Sequence, residues 1–175
     1  MSQAHVGIPR GDGDGWVRCE QGHRHWGIHG AAGLLLWHRD RVLLQHRALW
    51  SHHGGTWGVL GGARNSGETA EEAAIREAHE EAGLDPARIE VVGRFLDDHG
   101  GWSYTTVIAR ADEELNLTGL TSETIDVRWV PADALDELPL HPGFAASWDE
   151  VRSQPGSSRP GSSRPGSTEP RPSQP

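Results

Sequence analysis

The stretch Gly62–Leu84 reads GARNSGETAEEAAIREAHEEAGL, and its reading decides what the chain folds into. Thr69–Ala82 is predicted to be a helix. Thr69 is a good N-cap, Glu72 stands three residues later as in a capping box, and Gly83 suits the position just past a helix end. The same helix carries an unfavourable charge pattern. Glu71, Glu72, Glu77, Glu80 and Glu81 lie along it, with Glu68 just ahead. Glu77, Glu80 and Glu81 share one face, where like charges destabilise an isolated helix by about 0.2–0.5 kcal/mol per pair. Two of them stand in the last turn, where the helix dipole prefers cations. A divalent cation reverses the sign, because clustered carboxylates are hard oxygen ligands suited to Mg²⁺ or Mn²⁺. The competing explanation is a solvated acidic face.

Outward from this helix, the chain alternates strand-like and helix-like stretches. Ala31–His38 and Arg41–Arg47 are apolar runs separated by Arg39-Asp40, which predicts a hairpin. Thr56–Leu60 reads as a short strand ending at Gly61-Gly62. Ile89–Leu96, Trp102–Arg110 and Ile125–Val130 read as strands. Pro131–Leu138 begins with a proline suited to a helix start and predicts a short helix, and Gly143–Arg152 a last one. Strands around one strong helix predict an α/β (α+β) domain with a mixed sheet. Three parts are expected: an N-terminal extension over 1–29 that packs on the domain, the domain itself over 30–152, and a tail over 153–175. The tail repeats PGSSR, PGSSR, PGSTE from Pro155. It has no apolar side chains to bury, so disorder is expected there.

Composition sets the limits. The chain has 175 residues, a net charge of −9, and 16 basic residues that are all arginine. The tail holds Arg159, Arg164 and Arg171 against Glu169, so the 152 residues before it carry −11. An acidic body repels a phosphate backbone, so no nucleic-acid partner is expected, and an anionic substrate needs a cationic mediator. The longest apolar run, Ala31–Trp37, is far short of the about 20 residues that span a bilayer, so no membrane partner is expected either. Met1–Gly15 has no apolar run of the secretory kind, and the cytoplasm is the expected compartment. One cysteine, Cys19, allows no internal disulfide.

Gly62, Glu68, Arg76-Glu77-Ala78, Glu80-Glu81 and Gly83-Leu84 stand at the spacing of the signature box of the Nudix hydrolases, the MutT-like family, and the chain resembles that family over roughly 30–140. Seven specified residues at this composition coincide by chance in roughly one such chain in 10⁵. The preceding GGTWGVLGG run, Gly54–Gly62, is similar to the segment that leads into the box, with Leu60 where the family usually has proline. Glu123, six residues before Trp129, resembles the family's later strand.

The resemblance implies a Nudix-type α/β/α sandwich with a catalytic loop–helix–loop. It implies metal-dependent hydrolysis of a nucleoside diphosphate linked to another group. Nucleoside triphosphates or oxidised nucleotides lead as substrates, with ADP-ribose or a nucleotide sugar as the alternative. Glu77, Glu80, Glu81 and the Gly61 carbonyl would hold Mg²⁺ or Mn²⁺. Arg76 would orient the carboxylates, and Glu68 would pair with Arg76 to fix the loop against the helix. Glu123 is the candidate base or further ligand, with Asp97, Asp98 and Asp126 as rivals. Family members are often homodimers. Proline and tyrosine markers of substrate type are absent at their usual places, where His99-Gly100 and Trp102 stand.

Arg47, His52 and Trp102 are the candidate substrate-binding residues. Trp102, like Trp16, Trp26 and Trp50, offers a ring for a nucleobase, whereas Trp37, Trp57 and Trp129 sit in apolar strand patterns and are expected in the core. Cys19, His23, His25 and His29 form C-x₃-H-x-H-x₃-H, residue types that bind zinc. The spacing matches no standard finger and lacks a second half, so hydrogen-bonded or exposed side chains are expected instead. His23–Trp26 alternatively makes a basic, aromatic rim for phosphate or base. Two other classes compete with the enzyme: a nucleotide-binding regulator, which would be expected to have lost box carboxylates, and an interaction protein working through its tail.

Overall fold

The computed structural model describes residues 11–118 and 120–154; the tail repeats from Pro155 lie outside them. Strand β3 (Ala31–His38) organises the rest. It is buried along almost its whole length, as a continuous apolar run in a sheet covered on both faces requires. On one side it pairs in parallel with β8 (Ser103–Arg110), from Ala31↔Tyr104 to Trp37↔Arg110. β8 continues antiparallel to the edge strand β7 (Glu90–Asp98). The other side of β3 is shared. β6 (Leu60–Ala63) takes its first half, Ala31↔Ala63 to Leu34↔Leu60, and β4 (Arg41–Arg47) pairs only at Trp37↔Val42 and His38↔Arg41. β4 then diverges to pair with β5 (Trp57–Gly58) and β9 (Thr124–Pro131). The mixed sheet therefore forks, and its two arms separate beside Gly61-Gly62.

Two helices cover the faces. α1 (Ala70–Ala82) lies on one, where Ala73, Ala74, Ala78 and Ala82 pack with Leu34, Leu36, Leu43 and Val107. Four alanines let the helix approach the sheet closely. α2 (Pro142–Arg152) covers the other, with Phe144, Trp148 and Val151 against Leu35, Val42, Leu44 and Ile108. Consecutive residues of β3 and β4 thus alternate between two cores, the period of a pleated strand. Each buried leucine contributes about 1.5–3 kcal/mol of transfer free energy. The layering is the expected α/β/α sandwich.

The predicted hairpin forms, with Arg39 at φ 52° in its turn. Thr69 caps α1 and makes the full capping box with Glu72, and Gly83 ends the helix at φ 69°. Two expectations need correction. The strand expected over Thr56–Leu60 is two strands broken at Val59, because the segment passes from the β4 arm to the β3 arm of the fork. The helix expected over Pro131–Leu138 is a 3-10 segment over Ala132–Glu137, with Pro131 closing β9. The N-terminal region holds a small hairpin of its own: β1 (Trp16–Arg18) pairs with β2 (Arg24–Trp26). Leu60, at the departure from the family pattern, pairs with Leu34 and is buried in the α1-side core.

Candidate active site

The site lies where α1 crosses the fork. Glu81, in its last turn, points inward and is 5% exposed. One carboxylate oxygen accepts from the Gly61 N–H at 3.0 Å, the other from the Gln45 amide at 3.3 Å. Gln45 also donates to Thr124 Oγ1 at 2.7 Å, and its Oε1 has no partner among the described residues. Burial first, and then the Glu77 charge, push the Glu81 carboxyl up to about 8. Glu77 lies one turn earlier, and burial raises it too, although Arg76 pulls the other way. A Cβ on Gly62 would stand 2.6 Å from the Glu77 carboxyl carbon, so glycine there is what lets the carboxylate lie against the loop backbone.

Arg76 braces this arrangement. Its Nε and Nη2 donate to both oxygens of Glu68 at 2.7 and 3.0 Å, and Nη2 also donates to the Ala63 carbonyl at 3.0 Å. Nη1 reaches Glu77 at 2.7 Å and Glu80 at 3.4 Å. One planar guanidinium thus joins three carboxylates and the end of β6, a task lysine's single ammonium does not match. Hydrogen bonding to Arg76 holds Glu68 below the usual carboxylate range, while Arg76 itself is held above the usual arginine range, first by Glu68. Glu68 also accepts from the Asn65 N–H at 2.9 Å, which ties the loop before the helix. Glu80 is the most exposed of the three helix carboxylates.

The remaining candidates fall in two places. Arg47, at the end of β4, donates twice to the His52 carbonyl, and its charge bears on Glu81, Tyr104, His52 and His141. His52, His53 and His141 gather beside it with ring nitrogens within 4.8 Å of one another. Burial pushes His141 down to about 4 and lowers His52 as well. Glu123 precedes Thr124, the Gln45 partner, and its carbonyl accepts from the Ala48 N–H. The turn before it is docked on α1, since the Thr121 N–H donates to the Glu81 carbonyl. Trp102 lies elsewhere, stacked on His25 at 3.8 Å between ring centres, with its Nε1 donating to the Gly27 carbonyl. Of the rivals to Glu123, Asp126 pairs with Arg128 at 2.9 Å, and Asp97 and Asp98 hold the tip of the β7–β8 hairpin. Trp37 and Trp57 are buried and Trp129 packs against the α1-side core, while Trp16 and Trp50 are exposed.

Gln45 and Thr124 escaped notice in the sequence, although a signal existed. Gln45 interrupts an apolar strand on the same face as Leu43, which faces α1, and a lone amide there needs a partner.

A helix that carries three carboxylates and their arginine across the fork of a mixed sheet defines the class: hydrolases built on the Nudix fold. The chain belongs to the Nudix family, whose NUDIX domain model matches residues 27–150. It is 51% identical over 159 residues to a Mycobacterium tuberculosis protein described as "Putative 8-oxo-dGTP diphosphatase 3", an alignment covering 85% of this chain and 73% of that one. Among solved structures, a Nudix hydrolase from M. smegmatis, RenU, superposes with a TM-score of 0.74 at 51% identity, covering 80% of this chain and 93% of that one. A nucleoside triphosphate pyrophosphatase/Nudix hydrolase fusion protein of Bifidobacterium longum is 44% identical over 79% of this chain and 32% of its own length. Among the described residues no helix is long and apolar enough to cross a membrane.

Proposed function

We propose that the protein hydrolyses the α–β phosphoanhydride of a nucleoside triphosphate, oxidised purine nucleotides included, to a nucleoside monophosphate and pyrophosphate. One observation carries this reading. Glu81 is a buried carboxylate beside a second one, with a hydrogen-bonding frame already made for it by Gly61 and Gln45. Without a cation that arrangement is costly, and its donor set of hard oxygens fits one. Glu77, Glu80, Glu81 and the Gly61 carbonyl would hold Mg²⁺ or Mn²⁺, which supplies charge neutralisation at the phosphates and a more acidic bound water.

The chain's own groups do the positioning. Arg76 fixes Glu77 and Glu80, and Glu68 fixes Arg76. Arg47, whose charge bears on Glu81, gives positive charge and N–H donors for the phosphate chain, and His52, whose carbonyl Arg47 holds, adds a ring N–H beside it. Trp102, expected from the sequence to meet the base, is stacked on His25 away from the carboxylates and takes no part in this reading. Glu123, next to the Thr124–Gln45–Glu81 chain, takes the proton of the attacking water. The name of the M. tuberculosis relative supports an oxidised guanine nucleotide as substrate. The expected unit is the domain over residues 30–152 with its N-terminal extension, of which residues 1–10 lie outside the described residues, working in the cytoplasm, where nucleoside triphosphates are available, as a homodimer.

The test is a substrate panel of 8-oxo-dGTP, dGTP, ATP and ADP-ribose with Mg²⁺ or Mn²⁺. Fastest release of monophosphate and pyrophosphate from a triphosphate supports the reading. Faster conversion of ADP-ribose to AMP and ribose 5-phosphate replaces the substrate. No turnover of any compound leaves a nucleotide-binding module.

A further inference from the structure

A second cluster of metal-binding side chains stands outside the carboxylate site. Cys19 and His23 flank the turn of the β1–β2 hairpin, His25 lies on β2, and His99 comes from the tip of the β7–β8 hairpin, eighty residues away in sequence from Cys19. One ligand atom from each of the four lies within 4.8 Å of the other three. Backbone geometry builds this grouping. The Cys19 N–H donates to the His23 carbonyl at 3.0 Å and the Gly22 N–H to the Cys19 carbonyl at 2.9 Å, with Gly22 at φ 83°. His23 and His25 are two residues apart in extended chain, so they project to the same side. The two hairpins are joined where the Glu20 N–H donates to the Gly100 carbonyl at 2.8 Å.

The polar accounting points to a ligand. Cys19 is 5% exposed. His99 Nε2 faces the Asp97 carboxylate at 3.1 Å, which leaves Nδ1 as the coordinating atom, and that Nδ1 is buried without a partner among the described residues. His25 is clamped on Trp102, and its Nε2 is likewise buried without a partner. Buried imidazole nitrogens left without a partner are costly, and a bound ligand removes that cost. A carboxylate behind a histidine is the usual support of a metal-bound imidazole.

We infer that Cys19, His23, His25 and His99 form a closed structural zinc site that staples the N-terminal hairpin to the β7–β8 tip. One thiolate and three imidazoles suit a borderline-soft, tetrahedral ion, and four protein ligands leave no open position for chemistry. The stapled hairpin reaches the active-site side of the molecule. Its Trp16 ring meets His52 at 5.3 Å and carries the Arg24 guanidinium at 4.3 Å. His29, the fourth member suggested by the linear spacing, is absent from the cluster.

The test is zinc content of the full chain after exhaustive dialysis, with Co²⁺ replacement as an independent readout. About one zinc per chain is expected in the wild type. It should fall to near zero in Cys19→Ser and His99→Ala and stay unchanged in His29→Ala. The Co²⁺-loaded wild type should show tetrahedral ligand-field bands together with a thiolate charge-transfer band. Zinc that survives both cluster substitutions but is lost in Glu81→Gln belongs to the carboxylate site and overturns the inference. So does a wild type that takes up no tightly held zinc, or a Co²⁺ spectrum without the thiolate band. Where a cluster variant fails to fold, the wild-type Co²⁺ spectrum decides alone.

Discussion

Replacing Glu81 by Gln should destroy activity and at the same time stabilise the protein in the absence of added divalent cation. The folded state holds the Glu81 carboxyl at about 8, against an ordinary 4.5. Because the folded value is raised, the native state keeps a proton that the unfolded chain releases. Stability therefore falls as pH rises from about 4.5 to about 8. At pH 7 the penalty spans about 2.5 pH units, on the order of 3 kcal/mol at 1.36 kcal/mol per unit. Glutamine keeps an oxygen for the Gly61 N–H, and its amide can donate to Gln45 Oε1 once that side chain turns over. The assay is urea unfolding of both proteins at pH 5, 6, 7 and 8 in one buffer without Mg²⁺ or Mn²⁺. Both proteins carry the same Cys19–His99 cluster, so its contribution cancels in the difference. Glu81→Gln should match the wild type near pH 4.5 and exceed it progressively above. At neutral pH the gain corresponds to about 6–12 °C in melting temperature for a chain of this size. Added Mg²⁺ should raise the wild type and leave the variant unmoved. A variant less stable than wild type at pH 7, or a difference independent of pH, would falsify the buried-carboxylate argument.

Three further outcomes follow from named contacts. Glu68→Gln, which breaks the two-oxygen grip on Arg76, should lower kcat about 10–100-fold with the fold intact by circular dichroism. Gly62→Ala should leave the melting temperature nearly unchanged, because the Glu77 side chain can swing aside, while steady-state assays show most activity gone. Thr69→Ala, which removes the cap accepting from the Glu72 N–H, should cost about 1 kcal/mol in denaturant unfolding.

The legible parts of the sequence were those set by local chemistry. Thr69, Glu72 and Gly83 fix the ends of α1 through bonds within a few residues, and the Arg39-Asp40 turn fixes the β3–β4 hairpin. The box glutamates and Arg76 were singled out by their resemblance to the Nudix signature, since the charge pattern by itself also fits a solvated acidic face. The parts that escaped depend on distant contacts. β1 and β2 are three residues each, too short for a period to show. The break at Val59 follows from the fork of the sheet, which no local pattern encodes. The Cys19 group looked like half a site because its fourth member, His99, arrives from another hairpin, and His29 fitted the linear spacing only. Gln45 is legible as a lone amide in an apolar strand, but its partner is set only once α1 lies over it and brings Glu81 within hydrogen-bond reach.

The central claim is that Glu77, Glu80 and Glu81, with the cation they would hold, direct water onto the α–β phosphoanhydride of a nucleoside triphosphate. Its most direct measurement is product analysis of 8-oxo-dGTP turned over with Mg²⁺ or Mn²⁺ by wild type and Glu81→Gln. Monophosphate and pyrophosphate in equal amounts from the wild type, with product formation at least about a hundredfold slower in the variant, is the predicted result. Release of inorganic phosphate with the diphosphate, or equal rates for the two proteins, would contradict it.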